Sequence, residues 1–95
     1  MTAKLIAQLH VRDYDRFKPI FDEMRPVRKE HGATAHRLYR GVDDPNRVVV
    51  VTEYATADDA RAFAQSLELK EAQQRAGVDA APDFLLCEEI EADTY

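Results

Sequence analysis

The chain has little of what several protein classes depend on. Its 95 residues include one cysteine, Cys87, and no tryptophan. A single cysteine excludes an internal disulfide, and no Cys/His cluster with metal-ligand spacing exists. No apolar run approaches the roughly 20 residues that a membrane-spanning helix needs, and the N-terminus has the pattern of a strand rather than a signal peptide. The sequence therefore predicts a soluble protein with no metal and no membrane partner, and the cytoplasm as its default location.

Positive charge is also scarce. Thirteen Lys and Arg face eighteen Asp and Glu, so the net charge is -5. Such a chain repels nucleic-acid phosphate and anionic membranes alike. The one basic run falls at the end of a predicted helix, where cations complement the helix dipole; it comprises Arg25, Arg28, Lys29 and His31. An RNA-recognition domain would need exposed aromatic residues on its third strand, and this chain has four valines there, so no nucleic-acid partner is expected.

Hydrophobic periodicity predicts four strands and two helices. The strands are expected at residues 4–11, 33–40, 47–54 and 84–90. The first helix should begin after Asp13 or Asp15 and end before Gly32, and the second should run from Thr56 to Gly77 with a break near residues 66–68. Pro26 costs about 3 kcal/mol in a straight helix, so the first helix should bend or restart within two residues of Arg25, whereas Pro19 is tolerable only near a first turn.

The order β-α-β-β-α-β predicts one α+β domain over residues 1–95. Its expected fold is ferredoxin-like: a four-stranded antiparallel sheet with two helices on one face. The other face would be exposed to solvent. A strand with one solvent-exposed face should alternate apolar and polar residues, yet Val48 to Val51 make the third strand apolar on both sides. A second copy of the sheet is the simplest cover. We therefore expect a homodimer with Val48 or Val50 and their alternates at the seam.

Several segments together resemble a known family. They are His10-Val11 at the end of strand one, residues 15–21, residues 28–32, residues 48–54 with the acidic helix start, and Ala76-Gly77-Val78. Over nearly its whole length the chain resembles the dimeric α/β-barrel superfamily, and within it the antibiotic-biosynthesis-monooxygenase-like group. The resemblance implies that two sheets pack face to face as a barrel and that ligands bind between sheet and helices in each monomer.

The same resemblance implies a function. The expected activity is that of a cofactor-independent monooxygenase or cyclase-like protein acting on a small aromatic or polyketide-like molecule. The alternative is a non-catalytic barrel that binds small ligands or is associated with stress. Haem chemistry is doubtful, because Phe63 stands where the haem-degrading members have a histidine and the chain has no tryptophan.

Six residues are candidates for the site. An imidazole can move protons near neutral pH, and an amide on a central strand can donate to a ligand carbonyl, so the catalytic candidates are His10 and Gln8. The ligand-binding candidates are Tyr14, Phe63, His36 and Glu53. For each a structural role competes; Glu53, for example, is more simply explained by an ion pair with Arg37.

Strand one also predicts where these residues point. Ile6, Gln8 and His10 share one face of the strand, and only apolar residues occupy the other. A dry seam between two sheets tolerates unpaired polar groups poorly. Gln8 and His10 are therefore expected to face the helices, in a pocket with Tyr14 at its rim and Phe63 as an apolar wall.

Overall fold

A computed structural model describes residues 2–95 and has the predicted element order, with each predicted helix divided in two. The elements are β1 (Ala3–His10), α1 (Tyr14–Glu23), α2 (Arg25–Glu30), β2 (Ala33–Arg40), β3 (Arg47–Tyr54), α3 (Ala57–Ala64), α4 (Leu67–Arg75) and β4 (Asp83–Glu88). The predicted α+β, ferredoxin-like fold is confirmed. The central elements match the predicted ranges closely, whereas β4 ends two residues earlier than expected.

The four strands form one antiparallel sheet in the order β2-β3-β1-β4. In the central pair, Leu5 lies opposite Thr52 and Ala7 opposite Val50. Beyond the end of β1, Val11 forms an isolated bridge with Val78, which ties the strand to the segment after α4. The two central strands thus carry most of the sheet's buried surface.

Burial alternates strictly along the central strands. Leu5 and Leu9 of β1 are buried, whereas Gln8 between them is exposed. On β3, Val48 and Val50 are buried in the same way. Because successive side chains of a strand point to opposite faces, one face of the sheet is covered by the helices and the other is not. We call the uncovered side the open face; it carries Ile6, Gln8, His10, Arg37, Tyr39, Val49, Val51, Glu53 and Leu85.

Two hydrophobic clusters lie between the sheet and the helices. The first joins Phe17 and Phe21 of α1 to Leu9, Val11 and Val48 of the sheet side. The second brings Met24, Tyr54, Ala60, Phe63 and Ala72 around Leu5. The helical layer therefore buries only one side of the sheet, as the sequence predicts.

One detail of the predicted seam is wrong. Val48 and Val50 were expected where two sheets meet, but both are buried beneath the helices. Their alternates Val49 and Val51 are the ones on the open face, where they are half-buried. The run of four valines therefore serves two surfaces, the core on one side and the open face on the other.

Both predicted helix breaks are confirmed. Helix α1 ends at Glu23, Met24 forms the junction, and α2 restarts at Arg25 with Pro26 in its first turn, where a missing N–H costs nothing. The second break falls at Ser66, whose hydroxyl accepts from the Leu69 N–H at 3.2 Å and so caps α4. Pro19 departs from expectation, since it lies inside α1 beyond the first turn and the helix continues past it.

Gly32 ends α2 in the left-handed region, with a φ of 95°. The backbone angle favours glycine, and a Cβ at this position would lie 2.8 Å from Oδ2 of Asp59, whose side chain would have to move. The residue therefore lets the chain turn from the helical layer into β2 without displacing α3.

The alternation of β1 leads to a stability prediction. Leu5 is 5% exposed and Leu67, at the start of α4, is 68% exposed. Leu5→Ala should lower the free energy of unfolding by about 2–5 kcal/mol, because it deletes a buried side chain, whereas Leu67→Ala should change it by less than about 0.5 kcal/mol. Urea titration of both variants measures the difference, and equal effects would contradict the assignment of the buried face.

Candidate functional site

A cavity of about 70 Å³ lies between the sheet and the helices. Its wall is almost entirely apolar and includes Leu5, Ala7, Val50, Phe17, Met24 and Phe63. Phe84 of β4 also lines it and is 37% exposed, so the cavity reaches the surface beside that ring. Pockets that enclose a drug-sized molecule usually exceed about 300 Å³. The enclosed part therefore suits one edge of an aromatic ring, with the remainder of a ligand toward the surface.

Arg28 is the charged residue of the cavity wall, together with the polar residues Thr52 and Gln73. Arg28 is only 5% exposed. Its Nη1 donates to the Phe21 carbonyl oxygen at 3.0 Å, and its Cζ lies 4.0 Å above the centre of the Phe21 ring. Burial lowers the pKa of Arg28 from its usual value, but a guanidinium does not lose its proton in proteins. The cavity therefore has a fixed positive charge in its wall.

Tyr54, the last residue of β3, is fully buried. Its hydroxyl and the Nη2 of Arg28 are the buried side-chain polar atoms within residues 2–95 that have no hydrogen-bond partner. Burial raises the pKa of Tyr54 far above its usual range, while the charge of Arg28 acts in the opposite direction. The phenol therefore keeps its proton and is available as a donor.

His36 of β2 lies on the helix side of the sheet. Its ring meets the Phe21 ring edge-on, with 5.2 Å between the centroids. Burial is the main cause that lowers the pKa of His36, and the positive charges of Arg28 and Arg25 lower it further. His36 is therefore neutral at neutral pH. As the sequence predicts, Arg37 points to the opposite face; ligand binding by His36 stays a prediction.

Gln8 and His10 do not point where the sequence placed them. Both lie on the open face, and Gln8 is exposed. The Nδ1 of His10 lies 3.0 Å from the Asp79 carboxylate, and its Nε2 lies 3.3 Å from Oδ2 of Asp44. The expectation that they face the helices is wrong, because carboxylates and solvent satisfy these groups on the open face and no cavity is needed. Their catalytic roles stay predictions.

The remaining candidates are divided between the two faces. Glu53 lies on the open face and pairs with Lys4 at 3.2 Å, so the predicted pairing with Arg37 is wrong. Tyr14 begins α1 and carries the guanidinium of Arg40 4.1 Å above its ring. Phe63 is buried and lines the cavity, where the sequence placed it. The structure therefore brings Phe63 to the cavity and leaves Gln8, His10 and Glu53 outside it.

Sequence reasoning missed Arg28, Thr52 and Tyr54. Arg28 was assigned to a basic run at a helix end, yet it follows Met24 by four residues and Phe21 by seven. These are the spacings of one helix face, so the apolar stripe of the first helix was a usable signal for a buried arginine. Thr52 alternates with Val50 on β3, and the same period of two would have assigned it to the buried face.

The three histidines lie apart, each beside a different group: Asp79, Glu68 and Phe21. Among residues 2–95, no three His, Cys, Asp or Glu side chains gather as a metal-ligand set. Over the same part of the chain, no helix has the length and apolar character needed to cross a bilayer.

Comparison with known proteins supplies a family. The family model described as antibiotic biosynthesis monooxygenase matches residues 8–75, which are 68 of the 95 residues. No curated protein sequence matches the chain significantly.

Several solved structures share the fold. A Bordetella bronchiseptica protein provisionally named an antibiotic biosynthesis monooxygenase aligns at 20% identity with a TM-score of 0.82, over 95% of this chain and 98% of its own. SnoaB of Streptomyces nogalater, a cofactor-independent oxygenase, aligns at 16% identity with a TM-score of 0.79, over 96% and 95% of the two chains. A Mycobacterium tuberculosis protein aligns at 13% identity with a TM-score of 0.73, over 99% and 100%. At these identities the likeness concerns the fold.

The two strand histidines should respond to pH with opposite sign. The hydrogen bond to Asp79 is the main cause that raises the pKa of His10 above 6.5, so its stabilising contribution is full below pH 6.5 and is lost as the pH rises through the folded-state pKa. For His36 the pKa is lowered, so the charged form favours unfolding and the protein loses stability as the pH falls below 6.5.

The measurement is the midpoint of thermal unfolding at about pH 5.5 and about pH 8.5, on either side of the histidine range. His10→Asn should destabilise the protein more at the acidic pH than at the alkaline pH. His36→Asn is the matched control, and its cost should be smaller at the acidic pH. The same pH trend for both variants would contradict these assignments.

Proposed function

Because the chain belongs to the antibiotic biosynthesis monooxygenase family, we propose that it is an oxygenase that needs no metal or flavin and acts on a small aromatic, polyketide-like molecule. The observation that carries this proposal is the apolar cavity with a few polar groups in its wall, the usual form of a small-molecule site. The shared fold with SnoaB, a cofactor-independent oxygenase, adds support.

In the proposed reaction the substrate itself supplies the electrons. A ring CH₂ conjugated to a carbonyl loses a proton, and dioxygen forms a C–O bond at the resulting carbanion. The O–O bond then breaks as water leaves, so one oxygen atom stays on the substrate as a carbonyl and the other becomes water. The carbon is oxidised and dioxygen is reduced, with no further reductant.

The cavity suits such a reaction in two respects. Its apolar wall excludes water from a reactive carbanion, and fixed donors act most strongly on developing negative charge in a site of low dielectric. His36 lies on this side of the sheet, beside Phe21 of the cavity wall, and is neutral at neutral pH because of its lowered pKa. We propose His36 as the proton acceptor. The substrate reaches its imidazole through movement of the neighbouring Phe21 ring.

For Gln8 and His10 we propose a role on the open face. This face has apolar residues at its centre, including Ile6 and Val51, and Leu85 beside them is 59% exposed. We propose that a second copy of the sheet covers it, so that the protein is a homodimer. In that assembly Gln8 and His10 lie near the seam between the two sheets. They contact substrate only if the partner subunit binds a ligand at that seam.

A second candidate function is binding without turnover. It is favoured by one observation: Arg28 and Tyr54, the buried polar groups without full partners, both keep their protons at neutral pH. Neither can act as a general base, and Arg28 is the one of the two that lines the cavity, so the cavity wall holds a fixed donor. Binding of an aromatic probe without consumption of dioxygen would favour this second function.

The activity is tested with anthrone, a probe whose ring CH₂ is conjugated to a carbonyl. We expect the protein to accelerate dioxygen uptake, to incorporate one atom of labelled dioxygen into the product, and to keep this activity after dialysis against a chelator. An oxygen electrode and mass spectrometry measure the three results. No acceleration over buffer with anthrone would overturn the proposal for this substrate type.

The position of the site is tested by filling the cavity. Ala72 of α4 is buried and lines it, whereas Ala62 of α3 is exposed. Ala72→Leu should lower kcat/KM at least about tenfold, a loss of about 1.4 kcal/mol in transition-state binding, and Ala62→Leu should leave it unchanged. Circular dichroism checks that both variants are folded, and undiminished activity in folded Ala72→Leu would place the reaction elsewhere.

The dimer is tested with a charge on the open face. Leu85→Glu should convert the protein to a monomer, since an unpaired charge in an apolar seam is costly. Leu67→Glu puts the same charge on an exposed position of α4 and should leave the assembly unchanged. Sedimentation velocity at micromolar concentration measures the oligomeric state of both variants. A monomeric wild-type protein would contradict the proposed dimer.

A further inference from the structure

Arg28 is a buried cation whose hydrogen bonding is incomplete. One guanidinium nitrogen, Nη1, donates to the Phe21 carbonyl, but Nη2 has no acceptor among the described residues. Among residues 2–95 no carboxylate forms an ion pair with Arg28, although its side chain lies in the core with a residual exposure of 5%; Asp22 acts on it only through longer-range attraction. Burying a charge without an ion-pair partner is costly, and the stacking on Phe21 offsets part of this cost.

A second buried donor lies within electrostatic reach of Arg28, although it is not part of the cavity wall. The hydroxyl of Tyr54 is buried without a partner, and Arg28 is the charged group with the strongest effect on it. Two unsatisfied donors in one core are unusual, because buried polar groups are nearly always bonded. Both donors lack an acceptor. A negatively charged acceptor would also neutralise the guanidinium.

The surroundings limit the kind of acceptor. The cavity that Arg28 lines is otherwise apolar and small, and Phe63, which packs against the Tyr54 ring with 6.2 Å between centroids, forms part of its wall. A phosphate or a multiply charged anion would need more donors than one guanidinium nitrogen and one phenol. A singly charged oxygen attached to an aromatic ring matches both features, since the ring fits the apolar wall.

We infer that Arg28 and Tyr54 form a subsite for one anionic oxygen carried by an aromatic ligand, either a carboxylate or a phenolate. This inference rests on the proposed function only for the position of the ligand in the cavity. Arg28 is a binding residue here: Nη2 donates to the anionic oxygen, Tyr54 donates its O–H to the same oxygen, and Nη1 keeps its bond to Phe21.

The test measures binding in the absence of turnover, by calorimetry with matched probes. Benzoate and benzamide differ in charge but hardly in shape, and para-nitrophenolate and para-nitroaniline provide the same comparison for a phenolate. Wild-type protein should bind at least one anion about tenfold more tightly than its neutral counterpart, a difference of about 1.4 kcal/mol. The two arms show whether the carboxylate or the phenolate is preferred.

Variants then assign the effect to Arg28. Arg28→Met keeps the length of the side chain without its charge and should abolish the discrimination, whereas Arg28→Lys should retain part of it. Tyr54→Phe should weaken anion binding a few-fold and leave the neutral probe unaffected. Arg25→Met, an exposed arginine on the same helix, is the matched control and should bind as the wild type does.

Two results would overturn the inference. One is a wild-type protein that does not prefer either anion to its neutral counterpart, a measurement that needs no variant to fold. The other is a folded Arg28→Met protein that keeps the preference. Absence of dioxygen uptake together with a clear anion preference would reject the proposed oxygenase activity and leave the subsite standing, so the two failures are distinguishable.

Discussion

The pairing of β1 with β3 determines which side chains the protein buries and which it presents. Because side chains alternate along a strand, the register that sets Leu5 opposite Thr52 puts both in the core and puts Ile6 and Val51 together on the open face. A slip of one residue would exchange the two sets. The cavity, the ion pairs of the open face and the candidate dimer seam all follow from this register.

The two breaks in the helical layer were predictable because each has a local cause. Pro26 lacks the N–H that a continuous helix needs, and Ser66 offers an oxygen that caps a new start. The sequence also contained the period of two in β1 and β3, so the existence of two unlike faces could be predicted. These features depend on residues close together in the chain, and a single sequence is sufficient to predict them.

The direction of those faces could not be predicted in the same way. Gln8 and His10 were assigned to the helix side on the argument that a sheet seam excludes polar groups. The partners that decide the matter, Asp44 and Asp79, come from two distant turns, and no local pattern brings them to His10. Ala7 and Leu9 fill the core under Phe17 and Phe21. The competing constraint was therefore core packing, which outweighs the placement of two polar side chains that water can also satisfy.

Arg28 connects the helix break to the chemistry of the cavity. The Phe21 carbonyl lies in the last turn of α1 and accepts both from the Met24 N–H at 3.2 Å and from Nη1 of Arg28 at 3.0 Å. The guanidinium of α2 thereby ties the two helices together across the junction. Once one edge of this planar group is used for the junction, the remaining edge is left beside the apolar cavity without an acceptor. The same side chain therefore closes the helical layer and leaves a charge inside it, and a ligand that supplies an anionic oxygen would complete a set of bonds that the fold alone leaves incomplete.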